Sequence, residues 1–302
     1  MRIVELSGGV GGARLARGLA ALAQVDLTIV VNVGDDAENH GLAICPDLDT
    51  VVYTLAGEAG PHGWGRRDDT FIFNEELARF GVDNRFRLGD RDLALKLFRT
   101  RELEGGQPLS KVTATIASRF GIEPTVLPAT DDRLRTMVRI PGGWVTFQEY
   151  FVERRHEDEV LELRFEGGME ARPAPGVVEA IASADLIVIG PSNPPLSIWP
   201  ILAVDGVRAA IASHARVSAV SPLIGGKPIK GPADRVMQSL GLPAGNRGVV
   251  AAYEGLIDRL AIDESDRDDA GDLEGVVDVL ITDIMIKEQA AATSLAATLV
   301  KQ

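Results

Sequence analysis

Two segments of this chain combine residue types at spacings that can do chemistry. In Ser7-Gly8-Gly9-Val10-Gly11-Gly12-Ala13-Arg14 the glycines follow the apolar run Ile3-Val4-Glu5-Leu6. A strand feeding such a turn leaves backbone N–H groups unpaired at a helix N-terminus, where the macrodipole favours an anion and no side chain blocks a phosphate. Gly8, Gly9, Gly11 and Gly12 are therefore the expected phosphate cradle, although a tight turn alone also uses glycine. The second segment is acidic: Asp35 and Asp36 follow Asn32-Val33-Gly34, and Asp47 and Asp49 sit in Cys45-Pro46-Asp47-Leu48-Asp49-Thr50. Carboxylates on two loops are hard oxygen donors of the kind that hold magnesium (Mg2+) beside substrate phosphates. Asp36 and Asp49 are the expected ligands; the plainer alternative is that these aspartates cap turns and the helix beginning near Thr50.

Other chemistries are tested and set aside. Leu88-Gly89-Asp90-Arg91-Asp92 offers Arg91 as a phosphate fork with a catalytic role, or else Asp90 caps a helix and Arg91 is solvated. Ser192 is not in a Gly-x-Ser-x-Gly elbow, and His40, His62, His156 and His214 show neither metal spacing nor a pairing with it, which argues against a hydrolase. Gly9 to Arg14 puts arginine where a dinucleotide fingerprint wants a small residue, and no Gly-Lys-Ser/Thr ending marks a P-loop. An NAD-dependent oxidoreductase and a P-loop NTPase are both disfavoured.

The elements needed to position these loops are legible as apolar runs. Ile3–Leu6, a helix from Arg14 to Ala23 and Leu27–Val31 form a βαβ opening with a parallel sheet. Runs at 185–190, 215–220 and 277–281 rebuild the same sheet later in the chain. Residues 1–56 and 173–302 are thus expected to form a Rossmann-like, doubly wound α/β core. Residues 57–172 read as a mainly helical insertion, with helices at 71–80, 90–101 and 110–120 and strands near 137–140 and 144–147, packed over the sheet's C-terminal edge. The helix-like tail from Lys287 to Val300 is expected to dock on the core. Ligands of open α/β sheets bind outside the carboxyl ends of the strands. The loops beginning near Ser7, Val33, Pro191 and Pro222 all fall at such ends and are expected to share one crevice.

Composition narrows the function classes. A net charge of -13 without a Lys/Arg block argues against nucleic acid, and any anionic ligand then needs local cations or a divalent metal. The acidic stretch 262–269 reads as a solvated loop. One cysteine, Cys45, excludes an intrachain disulfide and fits a reducing, cytoplasmic setting; it reads as a small apolar filler. Met1–Leu6 does not read as a signal peptide, and no apolar run reaches membrane-spanning length.

Six segments in this order resemble the 2-phospho-L-lactate transferase family of coenzyme F-420 biosynthesis. They are Ser7–Gly12, Cys45–Val51, Leu88–Asp92, Leu127–Asp132, Gly190–Pro194 and Ser221–Gly225, and the likeness spans nearly the whole chain except around 155–180 and 263–276. The resemblance implies a magnesium-dependent transfer of a phospho-three-carbon-acid group from its guanosine diphosphate (GDP) adduct to 7,8-didemethyl-8-hydroxy-5-deazariboflavin, releasing GMP. It also implies that Gly8 to Gly12 with Ser192 and Asn193 face the nucleotide, that Asp36 and Asp49 anchor the metal, and that Asp49 could orient the attacking hydroxyl. The deazaflavin acceptor needs a flat, largely apolar slot. Asp47, Trp144 and Phe147 are assigned to it, with Trp64 a further candidate, although at least two of the three aromatics are expected to be core. The acid, whether lactate, enolpyruvate or glycerate, is left open. A homodimer is expected because two-fold assemblies are commonest, and no attached γ-glutamyl ligase domain is expected. The main rival is a sugar-nucleotide-binding regulator of related fold without transferase activity.

Overall fold

Short runs of β-branched and aliphatic residues, bounded by charge, glycine or proline, form the strands. The computed structural model describes residues 1–82 and 86–301. Its first part contains β1 (Arg2–Ser7), β2 (Asp26–Val31) and a hairpin of β3 (Ala37–Asn39) with β4 (Leu42–Ile44). The middle contains β5 (Thr125–Pro128), β6 (Arg135–Ile140), β7 (Gly143–Thr146) and β8 (Glu162–Glu166). The last part contains β9 (Leu186–Ile189), β10 (Val217–Val220), a small hairpin of β11 (Leu223–Ile224) and β12 (Lys227–Pro228), then β13 (Arg259–Ile262) and β14 (Asp278–Ile281).

Seven of these form one sheet in the order β14-β13-β10-β9-β1-β2-β5, with every neighbouring pair parallel. The winding reverses between β1 and β9, so the crevice of this Rossmann-like sheet opens where the loops after those two strands meet. β9 is buried along its whole length, as expected of a central parallel strand covered on both faces. Helix α1 (Gly9–Ala20) packs against the C-terminal helix Gln289–Val300, and the approach is so close that a Cβ on Gly18 would overlap the Ala292 carbonyl oxygen. The tail therefore docks on the core, as its pattern suggests.

The segment 57–172 is more mixed than the sequence pattern suggests. Helix α2 (Pro46–Leu55) leads into it, and α3 (Ile72–Arg79), α4 (Asp90–Glu104) and α5 (Leu109–Arg119) follow close to the expected positions. The chain then returns to the central sheet: β5 pairs in parallel with β2, from Thr28 beside Thr125 to Val31 beside Pro128. A boundary at 57 and 172 therefore cuts off a strand that belongs to the core. Only four residues long and ending in proline, β5 has too short a pattern to separate from loop, and Pro is tolerated at that outer strand because nothing pairs beyond it. β6, β7 and β8 form a separate antiparallel sheet over a second apolar cluster that includes Val138, Ile140, Val145 and Tyr150. β13, also four residues, is a second core strand that the sequence pattern does not reveal.

Two aspartates tie the helices of this region together by capping across rather than locally. Asp90 accepts from the Ile72 and Phe73 N–H groups at the start of α3, while Asp69 accepts from the Arg91 and Asp92 N–H groups at the start of α4. Among the described residues no helix is long and apolar enough to cross a membrane.

Candidate functional site at the switch point

The glycine loop is shaped by what lies behind it. Gly8 precedes α1 in extended conformation, and Gly9 takes a left-handed φ of 64°. A Cβ on Gly11 would overlap the Pro191 carbonyl oxygen, and one on Gly12 would overlap the Ser7 Oγ; one on Gly8 would stand 2.5 Å from the Ser197 Cβ. These glycines let the β1 loop nest against the β9 loop. Ser192 locks that nesting: its Oγ accepts from the Gly8 N–H at 3.2 Å and donates to the Gly8 carbonyl at 2.7 Å. Asn193 accepts from the Leu196 N–H at 3.2 Å and so caps the turn that follows. Gly9 differs from the others, because the space beyond it is open apart from Asp47. The expected cradle residues, with Ser192 and Asn193, are thus brought together at the sheet's switch point, and at the start of α1 the Gly8 N–H is taken by Ser192 and the Gly9 N–H by Asp47, which leaves those of Val10 and Gly11 without a helical partner.

The four aspartates divide into two pairs of different character. Asp47 lies against the cradle, accepting from the Asn32 Nδ2 at 2.9 Å and from the Gly9 N–H. Burial pushes its carboxyl up to about 6, against the pull of those hydrogen bonds. Asp35 is raised by burial and then by the Asp47 charge, and its Oδ1 has no partner. Asn32 braces both, because its Oδ1 also accepts from the Gly34 N–H at 2.7 Å. Burial likewise pushes Asp36 up to about 7, with the Arg135 guanidinium opposing, and its Oδ1 is also unpartnered.

Asp49 is different. Its Oδ2 accepts from the Lys96 Nζ at 2.7 Å and from the Arg99 Nη1 at 3.2 Å, while its Oδ1 is bonded to the Arg99 Nη2. Burial alone would raise this carboxyl, but the Arg99 and Lys96 charges outweigh it and hold it below the usual range. Lys96 also meets Asp92, which accepts from the Tyr53 hydroxyl at 2.5 Å. Asp49 is thus committed to a buried ion cluster joining α2 to α4, and both its oxygens are occupied by cations. The expectation of a metal held by Asp36 and Asp49 does not fit this geometry; Asp35 and Asp47, beside the cradle, do. Among the described residues no group of three or more His, Cys, Asp or Glu side chains is arranged around one point.

A cavity of about 450 Å³ opens beside Asp35 and Asp36, walled by the β3–β4 hairpin, β6, β7 and the turn after β7. Phe147 lines it and stacks on Phe151 at 5.2 Å between ring centroids. Trp144 does not line it; it is exposed on the antiparallel sheet beneath the Arg164 guanidinium. Trp64 is exposed too, stacked on His62 in a loop whose Gly63 abuts Val10 of the cradle. Neither tryptophan is core, contrary to the expectation that at least two of the three aromatics are, and only Phe147 reaches the cavity. Arg91 is exposed and makes no ion pair among the described residues, which favours the solvated alternative over the phosphate fork. The buried cations beside these aspartates are Lys96 and Arg99, which the sequence pattern missed. Asp92, Lys96 and Arg99 do share one helical face, but a charged face reads from sequence as solvated.

The chain matches the family described as 2-phospho-L-lactate transferase CofD over residues 3–293. It is 45% identical over 285 residues to a phosphoenolpyruvate transferase of Streptomyces griseus, covering 91% of this chain and 89% of that one. It is 42% identical over 301 residues to a 2-phospho-L-lactate transferase of Methanopyrus kandleri, covering 98% and 96%. A crystal structure of a UPF0052 family member from Bacillus halodurans superposes with a TM-score of 0.68 at 18% identity, covering 99% of this chain and 98% of that one, and supports the fold. With one family matched along nearly its full length and relatives above 40% identity across most of theirs, this chain belongs to the 2-phospho-L-lactate transferase CofD family.

Proposed function

We propose that the protein transfers a phospho-three-carbon-acid group, 2-phospholactyl or phosphoenolpyruvyl, from its GDP adduct to 7,8-didemethyl-8-hydroxy-5-deazariboflavin. The hydroxyl at the end of the acceptor's ribityl chain attacks the phosphorus that carries the acid, the diphosphate P–O bond breaks, and GMP leaves with the electron pair. The observation that carries this reading is a continuous path of contacts: Asp47 accepts from the Gly9 N–H of the cradle, its charge acts on Asp35, and Asp35 lines a ligand-sized cavity. The relatives' names divide between the two acids, so the acid is left unassigned.

The chain's own residues do modest work. With Gly8 clamped by Ser192 and the Gly9 N–H held by Asp47, the Val10 and Gly11 N–H groups at the start of α1 are the ones offered to the nucleotide diphosphate. Asp35 and Asp47 are two hard carboxylates, one with an unpartnered oxygen, whose mutual repulsion a cation would relieve; two carboxylates plus substrate phosphates suit magnesium. Magnesium, when bound, supplies neutralisation of the diphosphate charge. Asp36, with a free oxygen and a place in the cavity wall, accepts the proton of the attacking hydroxyl. Phe147 lies against the acceptor ring.

The deciding experiment incubates the protein with deazaflavin, magnesium and either the lactyl or the enolpyruvyl adduct of GDP, followed by mass spectrometry. The expected result is one GMP formed per deazaflavin phosphodiester of the three-carbon acid, with one adduct preferred. GDP binding without transfer from either adduct would instead favour a nucleotide-binding regulator.

A further inference from the structure

The cavity beside the aspartates has a cationic edge that the transfer reaction as described leaves unused. Arg133 and Arg135 stand at the start of β6, in its lining. Other arginines drawn into the fold near the site are neutralised: Arg99 meets Asp49, and Arg66 meets Glu58. Arg135 is half-buried, yet among the described residues its one hydrogen bond is to the Leu134 carbonyl at 2.6 Å, and among those residues neither it nor Arg133 forms an ion pair with a carboxylate. Arg135 pulls on the Asp36 carboxyl without pairing with it. Three glutamates also line the cavity, Glu38, Glu149 and Glu153, and Glu149 is bonded to Arg154 at 2.9 Å. Next to Arg135, the Thr136 hydroxyl is buried with no partner. Gly34 faces it, and a Cβ there would stand 2.5 Å from the Thr136 Oγ1.

A half-buried guanidinium that faces Asp36 without pairing with it, and an orphaned hydroxyl on the next residue of the same cavity wall, are donors that an anion can use. The ligand's own chemistry says which one. The diphosphate is accounted for at the glycine cradle. On the proposed reaction the transferred group also carries a carboxylate, on the carbon whose oxygen is bonded to the reacting phosphorus. That carboxylate must lie within a few bonds of the Asp35–Asp36 loop, and a planar guanidinium is the group that holds a carboxylate through two parallel hydrogen bonds.

We propose that Arg135 and the Thr136 hydroxyl, with Arg133 at the rim, form the subsite for the carboxylate of the transferred three-carbon acid. The inference rests on the transferase reading above. It makes the Arg135 edge the specificity element for an acid-bearing donor and the cradle a site indifferent to the acid.

The test takes whichever of the lactyl and enolpyruvyl adducts of GDP the parent uses, and compares it with the same adduct whose carboxylate is converted to a carboxamide, on the parent, Arg135→Gln and Thr136→Val. The parent should prefer the carboxylate donor in kcat/KM, and Arg135→Gln should reduce that preference roughly 10- to 100-fold, the worth of a charge-assisted hydrogen bond. GDP affinity by calorimetry should be unchanged in both variants. Thr136→Val, which keeps the side-chain volume, should reduce the preference roughly 3- to 10-fold and carries the test if Arg135→Gln does not fold. An equal loss for both donors assigns Arg135 to balancing Asp36 and overturns the subsite, as does an unchanged preference. A parent that binds GDP but transfers from neither adduct overturns the transferase reading, and the subsite with it.

Discussion

The two walls of the crevice are built from different materials. On one side, β1, the start of α1 and the β9 loop present backbone, held by glycines that allow contact and by a serine bonded at both its donor and acceptor sites. On the other side, α2, α4 and the β3–β4 hairpin present charge, held by a buried cluster in which Lys96 and Arg99 face Asp49 and Asp92. The backbone wall depends on shape, and it fails when an atom is added. The charged wall depends on compensation, and it fails when a charge is removed.

The largest expected effect is on the charged wall. Asp49→Asn should destabilise the fold by about 3–5 kcal/mol, because it leaves two buried cations with one carboxylate between them. Loss of turnover would then follow loss of structure, whereas a metal ligand would lose turnover with an unchanged melt. Chemical denaturation separates the two, and adding Lys96→Met should recover part of the loss if the pair is compensating. The sign with pH also follows: the folded carboxyl lies below its unfolded value, so this stabilisation is present above roughly pH 4 and disappears as the pH falls through the depressed value. A variant melting like the parent would return Asp49 to the list of metal ligands.

The backbone wall is probed by adding single methyl groups. Gly11→Ala puts a Cβ into the Pro191 carbonyl oxygen, and it should cost about 3 kcal/mol and weaken GDP binding by parting the two loops. Gly9→Ala meets open space and should cost only the left-handed backbone strain, about 1–2 kcal/mol. Thermal melts with GDP titrations on both variants rank the two sites. Equal costs would mean that the loops are not nested as described.

The same contrast explains what could be read from sequence. A backbone wall announces itself, because only glycine satisfies a left-handed φ or a contact with a carbonyl oxygen, and those glycines follow one another in the chain. The central strands are equally legible where the apolar run is continuous; β5, which ends in Pro128, and β13 are not read as strands, although β9, β10 and β14 are just as short. The charged wall is assembled from segments 47 and 50 residues apart, Asp49 with Lys96 and Asp49 with Arg99. Nothing local marks a buried charge, so Asp49 reads as a free carboxylate and Arg91, exposed beside a capping aspartate, reads as the more promising cation. Of the aspartates, Asp35 and Asp47 gain their importance from Asn32, whose amide reaches both the Asp47 carboxylate and the Gly34 N–H.

One residue crosses the division and gives the smallest expected effect. Glu5 lies on β1 in the backbone wall, between Ile29 and Val188 on its neighbours, and neither of its carboxyl oxygens has a partner. The space around it is tight: a Cβ on Gly190 would stand 2.9 Å from its Oε1 and 3.0 Å from the Gly12 Cα. Burial raises its carboxyl well above the usual range. A raised folded value means that the folded state holds the proton longer than the unfolded chain, so stability is greatest below the unfolded value of roughly 4.3 and falls as the pH rises toward the folded value. Glu5→Leu keeps similar bulk, matches its aliphatic neighbours and removes the orphaned oxygens, and should stabilise the protein by about 1–2 kcal/mol at pH 7. The gain should shrink as the pH is lowered toward roughly 4.3 and level off below it, where the parent carboxyl is neutral in both states. Urea denaturation of the two proteins across that range checks both statements. Parallel pH curves would mean that Glu5 has a compensating partner, and that the backbone wall, like the opposite one, tolerates charge only by pairing it.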